Sequence, residues 1–190
     1  MRLAAIVLGA AAGGGFPQWN CRCPTCAKAW SRAFGVQART QTSLAVSADG
    51  VQWTLLNAAP DLRAQIVATA ALHPQGGLRS SPIAAVVLTG GEVDQVAGLL
   101  NLRERQPFTL FATAETLGIL KTNPIFDVLA HHVVKRRAIA IGVPFDLPGG
   151  MQATLFAVPG KVPLYLEGSA ATLAGGAESN VGVEIRASGA

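Results

Sequence analysis

The chain has 190 residues, half of them hydrophobic and only 14% charged, with a formal net charge of +4. That length supports one domain with a substantial core, and the weak, scattered positive charge does not describe a nucleic-acid surface. The densest basic cluster, Lys135-Arg136-Arg137, reads as a solvated loop or strand end, and no aromatics interleave with it for base stacking. No apolar run reaches the roughly 18 residues a membrane span needs.

The opening "MRLAAIVLGAAAGGG" imitates a secretory signal, but Leu3–Leu8 reads better as a first strand, because its glycine turn leads into a dense motif. That motif, "GAAAGGGFPQWNCRCPTC", has neither helical nor strand period, and it contains a cysteine-rich loop over 13–27. One or two helical turns follow over Ala27–Ala33. Ser43–Ser47 and Gln52–Asn57 read as strands joined through Asp49-Gly50, a strong hairpin signal. Asp61 is placed to cap a helix reaching about Ala71, with Leu62, Ile66 and Val67 on one face. "SPIAAVVLT" is a buried strand, and apolar positions 93, 96, 97, 99 and 100 predict a helix over Val93–Arg105. Phe108–Ala112 is a strand, Ala114–Leu120 a short helix, and Ile125–Ala130 a further helical candidate. Strands are expected again at Val133–Ile141, Gln152–Val158 and Val181–Arg186, with turns at Gly149-Gly150 and in "SAATLAGGAES". Ser188-Gly189 read as the start of one more hairpin, which implies a partner strand that the chain does not supply.

Cys21, Cys23 and Cys26 carry the sharpest local signal. The C-x-C-x2-C spacing can gather three thiolates around a soft cation, and a glycine-rich loop that cannot hold itself gains order from such an ion. A structural zinc site is the leading reading; three reduced thiols or a redox role are the alternatives. A fourth ligand must come from afar, and the only histidines are His73, His131 and His132. The adjacent pair His131-His132 cannot chelate one ion together and reads as one exposed and one packed ring, while His73 reads as a helix-end residue. Three clustered cysteines without others also favour a reducing cytoplasm over a disulfide framework. The Gly9, Gly13 and Gly15 spacing invites a dinucleotide-binding reading. Phe16-Pro17 stands where the phosphate-binding helix should open, however. Glu92 and Asp94 follow a buried strand. They are either oxygen ligands at a strand end or acidic residues complementing a helix dipole.

The strand–turn–helix "VVLTGGEVDQVAGLL" is similar to the LTHxHxDHxxGL signature of the metallo-β-lactamase superfamily. Leu88-Thr89, Asp94 and Gly98-Leu99 match. Gly90 and Glu92 take the first two histidine positions, and Gln95 takes the last. "LGAAAGGGFPQWNCRCPTC", "RTQTSLAVSADG", "LLNAAPDLRAQI", "FTLFATAETL", "GLLNLRERQPFTL" and "VPGKVPLYLE" resemble the PqqB family of pyrroloquinoline quinone (PQQ) biosynthesis, over essentially the whole chain. This resemblance implies an α/β fold of the αββα sandwich type, incomplete at its C-terminal side, spanning 1–190 as a single domain. It implies a cytoplasmic protein with structural zinc at Cys21, Cys23 and Cys26. Its role would be carriage of PQQ or its precursor towards the periplasm, alongside other proteins of the pathway. The alternative it implies is iron-dependent hydroxylation of the tyrosine in a glutamate–tyrosine precursor, with Fe at Asp94 and tentatively Glu92. Gln95 is then a degenerate ligand position, since a glutamine carbonyl binds transition metals more weakly than imidazole, and catalysis is expected to be impaired. In the binding reading, Arg63, Arg103 and Arg105 are candidates to meet ligand carboxylates. Family members run longer than this chain. An exposed sheet edge is therefore expected, a pairing hazard with a homodimer as one outcome.

Overall fold

The computed structural model describes residues 2–160, 163–166 and 177–187; most of the expected "SAATLAGGAES" turn and the Ser188-Gly189 pair lie outside them. Strands β1 (Ala4–Gly9), β2 (Ser43–Ser47), β3 (Trp53–Leu56), β4 (Ile83–Val87), β5 (Phe108–Ala112) and β6 (Val134–Ala138) form one sheet in sequence order. The first three pair antiparallel and the rest parallel, with Leu56 beside Val87 and Val87 beside Phe111. A second, antiparallel sheet contains β7 (Phe145–Leu147), β8 (Met151–Ala157) and β9 (Val181–Ala187).

Side-chain alternation gives the large sheet two apolar faces, as expected of strands buried on both sides. Ala45, Leu55, Val86, Leu110 and Val134 pack on one face with Leu62, Leu72, Val96, Leu99 and Leu120 from the helical segments. Val46, Ala85, Val87 and Phe111 face the other way, onto Phe145, Met151, Ala153 and Leu155 of the small sheet. Phe111 and Phe145 meet across the sheets with ring centroids 5.2 Å apart. The layers are therefore helices, large sheet, small sheet. Of the described residues in the small sheet, Asp146, Gln152, Phe156, Ala157, Glu184 and Arg186 are exposed.

Helices α1 (Pro24–Trp30), α2 (Leu62–Ala68), α3 (Val93–Val96) and α4 (Ala114–Thr122) depart from the expected spans in instructive ways. α2 gives way to a 3-10 turn at Ala70–Leu72, and Asp61 occupies the N-cap without capping. Its Oδ2 instead accepts from the Gln41 backbone N–H at 2.8 Å. Val67, expected on the buried face, is 63% exposed, and Gln65 is buried in its place. The long helix predicted over Val93–Arg105 stops after one turn and continues as a 3-10 helix, Ala97–Leu102. The cause is competition from a neighbouring turn: Ala58 N donates to Gln95 O at 2.7 Å and Gly98 N donates to Ala58 O at 2.8 Å, removing both groups from the α-helical ladder. The 3-10 segment Pro124–Val128 replaces the helix expected over Ile125–Ala130. β7 was not anticipated; at three residues it is too short to show a period.

The basic cluster lies on the edge strand β6, where it is engaged rather than simply solvated. Arg136 Nη2 donates to Phe126 O and Leu129 O, and the Arg137 guanidinium lies 5.5 Å from the Phe111 ring centroid. His131 and His132 are both exposed, against the expectation of one packed ring. His73 sits at a helix end, as expected, with Nε2 3.0 Å from Val67 O. Among the described residues, no helix is long and apolar enough to cross a membrane.

Candidate functional site

The parallel strands β3, β4 and β5 end together, where connecting segments converge, and the "TGGEVDQ" turn sits there. Asn57, just after β3, holds φ +62° and uses its amide to tie off β4. Thr89 N donates to Asn57 Oδ1 at 2.9 Å, and Asn57 Nδ2 donates to Thr89 Oγ1 at 2.9 Å. On its other side the turn is stitched to β9: Val181 N donates to Thr89 O at 2.9 Å, and Gly90 bridges Asn180. The close approach explains the glycine, because a Cβ on Gly90 would stand 2.5 Å from Gln95 Oε1 and 3.0 Å from Ser179 O.

Gln95 is built into this frame. Its Oε1 accepts from Glu92 N at 3.1 Å, and its Nε2 donates to Thr89 Oγ1 at 3.2 Å. Both ends of the amide thus fix the turn. The Glu92 carboxylate returns the bond by accepting from the Gln95 backbone N–H, a capping box that bears out the helix-start reading of Glu92. With Asp94 it borders a cleft of about 680 Å³ lined also by Gly13, Gly14, Gln41, Pro60, Leu164 and Tyr165. The Asp94 carboxylate lies over Gly13, whose added Cβ would be 3.6 Å from Oδ2. The glycine-rich loop reaches the cleft because 39–42 run beside it: Ala10 N and Ala11 N donate to Thr40 O, Thr42 N donates to Ala11 O, and Phe16 and Arg39 exchange backbone hydrogen bonds. Segment 163–166 closes one side, with Leu164 N donating to Glu92 Oε1 at 3.2 Å and the Tyr165 hydroxyl donating to Gly91 O. Burial, with the Glu92 charge adding to it, raises the Tyr165 pKa. Sequence reasoning missed Tyr165, Gln41 and Pro60 as cleft residues; they lie in stretches that carry the family resemblance but show no ligating or catalytic pattern of their own.

Arg63, Arg103 and Arg105 do not line this cleft. The 3-10 segment before Arg103 carries the chain back towards the starts of β4 and β5. There Glu104 and Gln106 share a separate cleft with Ile83 and Phe108. Arg103 and Arg105 therefore flank a cleft at the opposite end of the sheet from the strand-end turn.

The cysteines converge as predicted: the three Sγ atoms lie within 4.8 Å of one another, and no other such group of three occurs among the described residues. Cys23 is the N-cap of α1, with Pro24 opening the helix, and its Sγ accepts from Cys26 N at 3.5 Å. That backbone N–H, with the neighbouring thiols assisting, lowers the Cys23 pKa. At Cys26 a lowering backbone hydrogen bond from Gln18 is outweighed by burial and the other two thiols, which raise it, so Cys23 is the thiol most disposed to ionise first. Cys21 Sγ accepts from Cys23 N at 3.4 Å. Three clustered sulfurs, one of them acidified, suit a soft tetrahedral cation. Neither His73 nor the His131-His132 pair joins them. At the strand-end turn, by contrast, no third ligating side chain joins Glu92 and Asp94 among the described residues.

A model of the beta-lactamase superfamily domain matches residues 52–190. The chain belongs to that superfamily. Its two sheets, its helical face and its strand-end turn are the superfamily's metallo-β-lactamase fold. Within the superfamily it resembles coenzyme PQQ synthesis protein B. The protein of that name from Methylorubrum populi is 55% identical over 184 residues, which cover 97% of this chain. The crystal structure of zinc-bound PqqB from Methylobacterium extorquens superposes with a TM-score of 0.93 at 54% identity, covering 98% of this chain and 62% of that one. A diphosphatase of the PhnP family is more distant, with a TM-score of 0.65 at 25% identity over 83% of this chain and 57% of its own. The chain spans about 62% of the length of the curated relatives it matches.

Proposed function

We propose that this chain serves PQQ biosynthesis as a cytoplasmic binding protein that carries PQQ or its precursor towards the periplasm. The pathway is supported by the 55% identity to coenzyme PQQ synthesis protein B. Zinc belongs to the cysteine loop: Cys21, Cys23 and Cys26 would hold it, and the ion would fix a segment with little core of its own.

One observation carries binding over catalysis. Gln95, at the histidine position of the signature turn, uses both ends of its amide on Glu92 N and Thr89 Oγ1, and it does not line the cleft. Iron does not fit the described residues there, because Glu92 and Asp94 find no third ligand. What the cleft offers instead is two carboxylates, a phenol, the Gln41 side of the loop and a glycine-rich wall. Paired carboxylates favour a ligand that brings an ammonium group, so the amino-acid-derived precursor suits the cleft better than the acidic quinone. The same two carboxylates are the feature that favours the second reading, tyrosine hydroxylation with iron.

Metal analysis and dialysis separate the two. The purified chain is expected to hold about one zinc and no iron, the count for a single structural site, and to bind a glutamate–tyrosine dipeptide in equilibrium dialysis. It should yield no hydroxylated product with Fe²⁺ and O₂. Hydroxylated dipeptide would overturn the binding reading in favour of the enzyme; failure to retain either the dipeptide or PQQ would remove the carrier.

A further inference from the structure

The positive charge of the chain is concentrated at one end. Residues 1–48 hold Arg2, Arg22, Lys28, Arg32 and Arg39 and no carboxylate, while residues 49–190 hold ten cations against eleven carboxylates. Arg22, Lys28 and Arg32 lie within or just after the cysteine loop in sequence, and all three are exposed. The same stretch exposes three aromatic rings: Trp19 is 78% accessible, Trp30 54% and Phe34 106%. The third tryptophan of the chain, Trp53, is buried.

This segment folds on itself. Cys21 N donates to Gln18 O, Trp30 Nε1 donates to Cys21 O at 3.1 Å, and the turns after α1 close through Ala33 N to Lys28 O and Val36 N to Ala33 O. Between residues 18 and 39 only Cys26 and Ala29 are buried, and α1 makes no more than marginal contact with any strand or other helix. No residue from 18 to 37 lines any of the five principal clefts. The result is a segment with little packing against the sheets that presents indoles, a phenyl ring and cations and has no carboxylate of its own.

We propose that this segment docks on an anionic lipid surface. Indole and phenyl rings partition into the headgroup region, where a polar tip can stay wet, and Arg and Lys meet the negative charge above it. A protein partner of the same charge would need a recess shaped to the segment, whereas a lipid surface yields to it. Charge and aromaticity together therefore favour the bilayer face. The inference stands apart from the strand-end cleft and does not depend on what the cleft binds.

The test uses the full chain with vesicles of phosphatidylcholine alone or mixed with phosphatidylglycerol, followed by co-sedimentation and tryptophan emission. Binding is expected only to the anionic vesicles, weakening with salt, with a blue shift from Trp19 and Trp30. The double substitution Arg22→Glu with Arg32→Glu should lower partitioning by about tenfold or more. Trp19→Ser with Phe34→Ser should weaken binding and reduce the shift. These side chains are exposed, so unchanged circular dichroism is the expected folding control for each variant. Equal binding to neutral vesicles would overturn the proposal, as would binding without a shift that ignores the aromatic substitutions. Indifference to anionic vesicles combined with salt-sensitive binding of poly-glutamate would assign the segment to an acidic protein and overturn the proposal as well.

Discussion

The side-chain carbonyl of Gln95 accepts a hydrogen bond from the backbone N–H of Glu92 at 3.1 Å, and the same amide reaches Thr89 Oγ1 with its nitrogen at 3.2 Å. Gln95 is thereby a strut of the turn. Gln95→His should lose the Glu92 N–H partner and cost on the order of 1 kcal/mol in urea unfolding. Iron content after Fe²⁺ loading should stay at the wild-type level; tight iron binding in the variant would show that an imidazole-ready site exists and contradict this role.

Asn57 combines a left-handed backbone with three hydrogen bonds to Thr89. Asn57→Ala removes all three and places an alanine at positive φ, a loss of about 2–3 kcal/mol. Asn57→Gly relieves the backbone but not the lost bonds, so its stability should fall between wild type and Asn57→Ala. Equal losses in the two variants would mean that the positive φ carries no cost here.

Gly98 is the most constrained glycine next to the site. An added Cβ would stand 2.1 Å from Ala59 O and 2.7 Å from Ala58 O, both backbone atoms that cannot swing away. Gly98→Ala is expected to lose about 3 kcal/mol or more, through displacement of the 57–59 turn that Gln95 O and Gly98 N hold. Thermal unfolding reads this directly, and a melting temperature near wild type would refute the packing described.

Asp49 Oδ1 accepts from Val51 N and Gln52 N at 2.8 Å each and from Ser47 Oγ at 3.0 Å, closing the β2–β3 hairpin. The Gln52 and Val51 N–H groups lower its pKa below the usual carboxylate value. A depressed folded-state pKa contributes stability that is present above the unfolded value, about 4, and disappears as pH falls through the lower folded one. Wild type should therefore exceed Asp49→Asn in melting temperature near neutrality, and the gap should close under acid. A gap that persists unchanged at low pH would show that the ionised carboxylate is not the source.

On the proposed zinc site, Cys23→Ser removes a sulfur ligand, while the serine hydroxyl can still cap Cys26 N, so the change isolates metal binding from helix capping. Bound zinc should fall to a small fraction of the wild-type content, with faster proteolysis between residues 18 and 39. Zinc retained at the wild-type level would rule out the three-cysteine site.

Much of the architecture was legible in strand patterns. Ser43–Ser47 and Phe108–Ala112 coincide with observed strands to the residue, because β-branched and aromatic residues bounded by turn signals leave little ambiguity. The Cys21–Cys26 cluster was equally readable, since its donors are close in sequence and the loop needs few long-range contacts to gather them. The helices were less so. The pattern over Val93–Arg105 is helical throughout, yet the Ala58 backbone, thirty-five residues away at its nearest, takes two of its hydrogen-bonding groups.

By itself, the sequence determined the buried apolar strands and the thiol cluster, which depend on local chemistry and period. The reading of Gln95 at a histidine position came from the resemblance of its turn to a superfamily signature. Tertiary structure decided which groups face the cleft. It brought Glu92, Asp94, Gly13, Gln41 and Tyr165 to one place, sent Arg103 and Arg105 to the opposite end of the sheet, and turned the Gln95 amide inward. The physical reason is that strand ends meet only when the sheet pairs. The partners of a backbone N–H are then chosen by what packing brings within 3 Å or so, not by neighbours in the chain.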